Sequence, residues 1–316
     1  MQFFQTIEWD FLKPRKIAFT ISGILILASL VSLIVHGGPR YGIDFTGGRV
    51  LEISLGKKAD IGEIRSILAS AGLTGIEAQT IKGEKPWIML RIPMELDEKY
   101  KDITGVILDA LGAHLTPQEG YDIKILSNEK VGPKVGVELR RKAIKAIVIA
   151  LFLMLIYIWI RFQLRFGVAS VLALFHDAFI TLGIFSILNK EINLSIVAAL
   201  LTIVGYSIND SIVISDRIRE NMAKLRKLPF YDIVNKSLSQ VFSRTIITSL
   251  TTMIVVLCLL LFGSLPIRDF ALALFIGVIV GTYSSIYIVS PIVVQWEKWF
   301  PKRVGVRGRP HTARAR

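Results

Sequence analysis

The chain has 316 residues, 52% of them hydrophobic and 20% charged, with a mean hydropathy of +0.54, where soluble domains carry about a quarter charged residues. This balance excludes an ordinary soluble enzyme, and the single cysteine, Cys258, excludes an intramolecular disulfide and a cysteine-based metal cluster. The formal charge of +13 is gathered beside alternate hydrophobic runs, which argues for membrane topology and against a nucleic-acid partner.

An apolar window of roughly 18 residues crosses a hydrocarbon core about 30 Å thick, and six windows qualify. The first, Ile17–Val35, follows Lys13, Arg15 and Lys16 and reads as an uncleaved anchor: it is long for a signal-peptide core and lacks a small-x-small cleavage site. The others are Ala143–Ile160, Phe166–Leu188, Ile192–Ile214, Thr245–Phe262 and Phe270 to about Val289, with Pro291 near the last end.

Residues 36–141 have soluble composition. Arg49–Leu55 alternates as a strand, Asp60–Ala71 is a helix capped by Asp60 and closed by Gly72, and Ile76–Lys82 and Trp87–Ile92 are strands joined by a turn at Gly83–Pro86. Leu96–Leu111 reads as a second helix and Tyr121–Leu126 as a last strand. The order β-α-β-β-α-β predicts a ferredoxin-like α+β domain inserted between the first two spans. The loop Tyr41-Gly42-Ile43-Asp44-Phe45-Thr46-Gly47-Gly48 reads as a structural hinge or domain anchor, since no following helix completes a phosphate cradle.

The fold class expected is therefore an α-helical integral membrane protein with six transmembrane helices. Its divisions are residues 1–35 (N-terminus and first span), 36–141 (extracytoplasmic domain), 142–296 (five-helix bundle) and 297–316 (basic tail). Placing the N-terminus in the cytoplasm puts Arg161, Arg165, the Arg217–Lys236 bases and the basic tail on the same side, and leaves only Lys190 and Arg268 in the short opposite loops. Both termini are then cytoplasmic. The tail, without periodicity, is expected to be disordered or to lie against anionic lipid headgroups.

Ionisable groups inside spans are the informative exceptions, because each costs about 2.5 to 3.5 kcal/mol at mid-bilayer. His176 and Asp177 lie midway along the third window. Asn209 and Asp210 lie in the fourth, with Ser207 and Ser211 nearby, and Arg244 opens the fifth, one turn before Thr248. Asp210 and Arg244 are expected at similar depth, with Ser207, Ser211 and Thr248 as supporting hydrogen-bonding groups. Two readings stand for this pair. In one, protonation neutralises Asp210, loosens its hold on Arg244 and lets helices rearrange. In the other, the pair is a static packing device, or Arg244 snorkels to the interface. Asp177 and His176 either join a proton path or make a satisfied contact between helices. Gly277 and Gly281, four apart, predict close helix packing, and Tyr283, Ser284, Ser285 and Tyr287 an internal polar stripe.

Taken together, YGIDFTGG (Tyr41–Gly48), VGPKVGVELRRKA (Val131–Ala143), FHD (Phe175–Asp177), GYSINDSIVISDRIREN (Gly205–Asn221), SRTIITSLTT (Ser243–Thr252) and IRDFALALFIGVIVGTYSSIYIVSP (Ile267–Pro291) resemble the SecD/SecF family of protein-export membrane subunits, in the resistance-nodulation-division superfamily. The resemblance implies a subunit of the bacterial inner membrane that works beside SecD and the SecYEG channel and uses the proton-motive force to complete preprotein translocation. It also implies that Asp210 and Arg244 are the proton-coupling residues, with Asp177 at a further family position. Neither cofactor nor metal nor covalent catalysis is expected. A half-size exporter of small molecules or lipids is the alternative, disfavoured because such relatives carry two six-helix halves. An intramembrane aspartyl protease using Asp177 and Asp210 lacks the sequence contexts that such enzymes need, since His176 and Asn209 precede the aspartates.

Overall fold

The computed structural model describes residues 9–57, 60–81, 87–161 and 163–300. It is helical, with one small sheet. In chain order the elements begin with α1 (Arg15–Val35), the short α2 (Ile43–Thr46), β1 (Gly48–Ser54), α3 (Ile61–Ser70), β2 (Glu77–Ile81) and β3 (Trp87–Ile92). They continue with α4 (Met94–Lys99), α5 (Ile103–Gly112), β4 (Lys124–Val131), α6 (Pro133–Arg161), α7 (Leu164–Ile187) and α8 (Leu194–Lys224). The last are α9 (Phe230–Phe262), α10 (Leu265–Ser284), a π-helical turn over Ser285–Val289, and α11 (Ser290–Trp299). Among the described residues five helices are long and apolar enough to cross a membrane: α1, α7, α8, α9 and the continuous run Ile267–Trp299. The protein is a multi-pass membrane protein. The remaining sequence window, Ala143–Ile160, lies within α6.

The chain divides into two compact units, one of Met1–Ser32, Leu151–Ile184 and Ala199–Arg316, the other of Leu33–Ala150 and Phe185–Ala198. The second holds the four-stranded sheet, in the order β2-β3-β1-β4 with every neighbour antiparallel. Alternation along β3 turns Ile88, Leu90 and Ile92 to one side. There they form a core with Leu51 and Ile53 of β1, Ile64, Ile67 and Leu68 of α3, and Ile103, Ile107 and Leu111 of α5. Each such fully buried side chain contributes about 1.5 to 3 kcal/mol.

Two sequence expectations for this unit are corrected. The single helix over Leu96–Leu111 is two helices, because the Asp102 carboxylate accepts a hydrogen bond from Gly105 N–H at 3.0 Å and caps a new start. The last strand runs Lys124–Val131, later than Tyr121–Leu126, because its pairing with β1 extends to Gly48↔Val131. Its polar, exposed residues hide that from a hydrophobic pattern. The turn at Gly83–Pro86 lies outside the described residues, as do residues 301–316 of the tail.

The glycine-rich segment is built into the same unit. Gly48 has φ +126°, a conformation that disfavours side chains, and a Cβ there would sit 2.8 Å from the Ile92 carbonyl. The backbone of residues 40–42 pairs with Ile192: Gly42 N–H donates to Ile192 O at 2.9 Å, and Ile192 N–H to Arg40 O at 2.7 Å. Glu191 forms ion pairs with Arg40 and Arg91. The segment is thus an anchor between the sheet domain and the loop leading into α8.

In the first unit α8 and α9 continue well beyond their apolar windows. The stretch Ser215–Arg244 is therefore largely helical, joined across the turn by Asn221 Nδ2, which donates to Ser237 Oγ at 2.8 Å and Gln240 Oε1 at 2.7 Å. Gly277 and Gly281 face α8, where a Cβ would meet the Ile203 side chain and Ser207 Cβ respectively. That is close packing, as the small-residue spacing predicts.

Candidate functional site

The polar residues inside the first unit collect on facing sides of α1, α7, α8 and α10. Asp177, on α7, is 1% exposed. One carboxylate oxygen, Oδ2, accepts hydrogen bonds from Ser207 Oγ of α8 at 2.6 Å and Ser284 Oγ of α10 at 2.8 Å. The other, Oδ1, lies 2.9 Å from His176 Nδ1. The far side of the imidazole, Nε2, lies 3.0 Å from Ser22 Oγ of α1, which lies 3.2 Å from the Tyr283 hydroxyl of α10. Tyr283 Oη donates to the Ala18 carbonyl at 2.7 Å. Four helices are thereby joined through one aspartate and its neighbour.

Asp210 lies one helical turn beyond Ser207 on α8 and is 4% exposed. Its surroundings differ sharply from those of Asp177: Oδ2 is buried without a hydrogen-bond partner. The Arg244 guanidinium of α9 is near enough to act on the Asp210 charge, yet among the described residues no salt bridge joins the two. The Arg244 side chain is exposed on the helix surface, in a segment where Thr245 and Ser249 are buried.

The supporting residues divide. Ser207 serves Asp177 rather than Asp210. Ser211 is buried one residue after Asp210, whereas Asn209 is exposed on the opposite side of α8. Thr248 Oγ1 donates to the Arg244 and Thr245 carbonyls of its own helix, both at 3.0 Å, and to neither charged group. Sequence reasoning missed Ser22 altogether; the signal was a serine interrupting the apolar run of α1. It saw Tyr283 and Ser284 only as a stripe, because periodicity cannot say which residue on a neighbouring helix a stripe meets.

The family described as "Protein export membrane protein SecD/SecF, C-terminal" matches residues 111–299, and the "SecD/SecF GG Motif" matches residues 32–59. The chain belongs to the SecD/SecF family. It is 41% identical to the protein translocase subunit SecF of Thermodesulfovibrio yellowstonii, over 90% of this chain and 93% of that one. It is 42% identical to the translocase subunit SecDF of Thermus thermophilus, over 92% of this chain but 39% of the relative, so it spans well under half of that longer protein. The crystal structure of SecDF from Thermus thermophilus, described as a translocon-associated membrane protein, superposes with a TM-score of 0.80 at 41% identity, covering 92% of this chain and 39% of the other. The SecD/SecF motif residues 32–59 enclose the glycine-rich anchor, and the C-terminal match encloses His176, Asp177, Asp210 and Arg244. By this membership the chain is an accessory subunit of a protein translocase.

Proposed function

We propose that this SecD/SecF-family chain works with a SecD partner and the SecYEG channel, drawing on the proton-motive force to promote late steps of preprotein export across the bacterial inner membrane. The observation that carries the coupling is the contrast between Asp177 of α7, fully hydrogen-bonded, and Asp210 of α8, which is buried with an orphaned carboxylate oxygen, near the charge of Arg244 but not locked to it. A carboxyl that is already fully hydrogen-bonded has little reason to move when its proton count changes, whereas an unpartnered one has reason to rearrange. Asp210 and Arg244 are the coupling residues in this reading, and the Asp177 network holds the helices around them.

The rest of the topology follows the same proposal. α6 is the sixth span, supported by its apolar window, and the strand order β4-β1-β3-β2 with α3 and α5 supports a ferredoxin-like domain over residues 36–141. Basic residues place both termini in the cytoplasm and residues 36–141 outside. Residues 142–296 form the bundle, and the basic stretch 297–316 follows it. The work is done by binding and motion, without covalent catalysis.

The test replaces Asp210 with Asn and follows precursor accumulation in cells and proton uptake in vesicles carrying the complex. We expect precursor to accumulate and proton uptake to fall to background. Normal export by that variant would reduce Asp210 to scaffold.

A further inference from the structure

The Asp177 network can be counted proton by proton. Four contacts lie in series: Ala18 carbonyl to Tyr283 Oη, Tyr283 Oη to Ser22 Oγ, Ser22 Oγ to His176 Nε2, and His176 Nδ1 to Asp177 Oδ1, at 2.7, 3.2, 3.0 and 2.9 Å. Each needs one hydrogen between its two heavy atoms. A carbonyl only accepts, so Tyr283 spends its single hydrogen on Ala18. Ser22 must then donate to Tyr283, which leaves Ser22 as the acceptor from His176 Nε2–H. A neutral imidazole bonded this way has a bare Nδ1 facing Asp177. An ionised Asp177 beside a neutral His176 supplies three hydrogens for four contacts, so one more is required, as His176 imidazolium against carboxylate or as neutral imidazole against carboxylic acid. In both forms the pair has zero net charge.

The alternative is to rotate the Ser22 hydrogen toward His176, which leaves two oxygen lone pairs opposed at the Ser22–Tyr283 contact. It also leaves a net negative charge at a carboxylate that is 1% exposed, with the two serine hydroxyls as its only other partners among the described residues. The titratable groups meeting there are His176 and Asp177 of α7 and Tyr283 of α10, with Tyr287 packed on Tyr283 at 5.5 Å between ring centroids. α8 adds Asp210 one turn past Ser207. α1 presents the Ser22 hydroxyl and Ala18 carbonyl. No cation in this set offsets a lost proton.

We propose that His176 and Asp177 hold this proton throughout the working cycle, so that Asp177 is a positioning residue tying α1, α7, α8 and α10 together and not a second proton carrier. This deepens the coupling proposed above, because it leaves exchange to Asp210. Of the two sequence readings of Asp177 and His176, it takes the satisfied contact between helices over the step in a proton path.

Asp177→Asn separates the roles, because an amide fills every contact without a titratable proton: its Nδ2–H donates to His176 Nδ1 and its Oδ1 accepts from Ser207 and Ser284. We measure assembled protein, precursor export and proton uptake for Asp177→Asn, Asp177→Leu and Asp210→Asn in the complex. Imidazole ¹⁵N NMR of His176 is recorded alongside. Asp177→Asn should assemble and keep export and uptake within about twofold of the parent, with His176 protonated at Nε2 only. Asp177→Leu, which takes the buried partner from Ser207 Oγ and from His176 Nδ1, should fail to assemble. An Asp177→Asn protein that assembles but loses proton uptake, or that fails to assemble, overturns the proposal, as does a protonated Nδ1 with a bare Nε2. Normal export by Asp210→Asn would instead sink the coupling reading and leave the fixed proton to be decided by the other measurements.

Discussion

The Asp44 carboxylate accepts a hydrogen bond from the Leu194 backbone N–H at 2.8 Å, so a residue of the glycine-rich anchor caps the first amide of α8 from outside the helix. Asn193, at the N-cap itself, accepts from Ile196 N–H at 3.0 Å. Leu194 N–H, an amide that a helix start leaves without an internal partner, is thus satisfied from outside the helix, while Ile196 N–H is shared between the Asn193 side chain and the Asn193 carbonyl at 3.1 Å.

Removing the outer cap should loosen the start of α8 without unfolding the protein. Asp44→Ala is expected to cost about 0.5 to 2 kcal/mol locally, read as faster hydrogen exchange at residues 194–198 in the full-length protein. Asp44→Asn, which keeps an acceptor, should exchange nearly as slowly as the parent. Equal exchange in the Ala variant would show that the contact stabilises nothing.

A second expectation concerns pH. Burial pushes the Asp97 carboxyl up, but hydrogen bonds from Lys130 and Arg49, at 2.6 Å each, outweigh it and hold the group below the usual carboxylate range. Because the folded value lies below the unfolded one of about 3.9, the stabilisation is complete above about pH 4 and is lost as pH falls through the lowered folded value. Asp97→Asn should therefore destabilise the sheet domain by about 1 to 3 kcal/mol at neutral pH. The difference should vanish in acid, as measured by exchange protection of β1 and β4. A gap independent of pH would refute the assignment.

Packing between α8 and α10 gives a third. Gly281→Val places its Cβ about 3 Å from Ser207 Cβ and should cost about 1 to 3 kcal/mol of overpacking, lowering the midpoint of thermal unfolding in detergent. Ser207 also holds Asp177, so export should fall with stability. A midpoint unchanged from the parent would mean the helices part freely here.

A fourth separates residues that share a sequence neighbourhood with the coupling pair from those that share its chemistry. Thr248→Ala and Asn209→Ala should leave export within about twofold of the parent, because Thr248 bonds only its own helix carbonyls and Asn209 is exposed. Arg244→Gln should lose export as Asp210→Asn does. Loss of export in the Thr248 variant, with normal assembly, would mean the hydroxyl acts on Arg244 in a state other than this one.

Much of this was legible in the residues. Apolar runs fixed the position of the long helices because their signal is strong and local, and the strand pattern around Leu51 and Leu90 located the sheet. The break at Tyr100 and the late strand Lys124–Val131 were not legible: a capping aspartate reads like any surface acid, and an exposed edge strand has no hydrophobic period. The site divided in the same way. Asp177, His176, Asp210 and Arg244 stood out because charges are rare in spans, but the partner of each carboxylate is decided by which helices pack together. So Ser207, expected beside Asp210, is bonded to Asp177, while Ser22, in a stretch of α1 that carries no charge after Lys16, passed unnoticed.

The π-helical turn at Ser285–Val289 sits immediately after Tyr283 and Ser284, whose orientation toward α1 and α7 the buried network requires. Such a turn carries one residue more than a regular one, and each residue of a regular helix advances the facing direction by about 100°. The chain from Ser290 to Trp299 is therefore rotated as though by an insertion that never closed up. Deleting one residue there would restore an unbroken α-helix and, in doing so, swing Val293 and Val294 out of the hydrophobic cluster that now buries them.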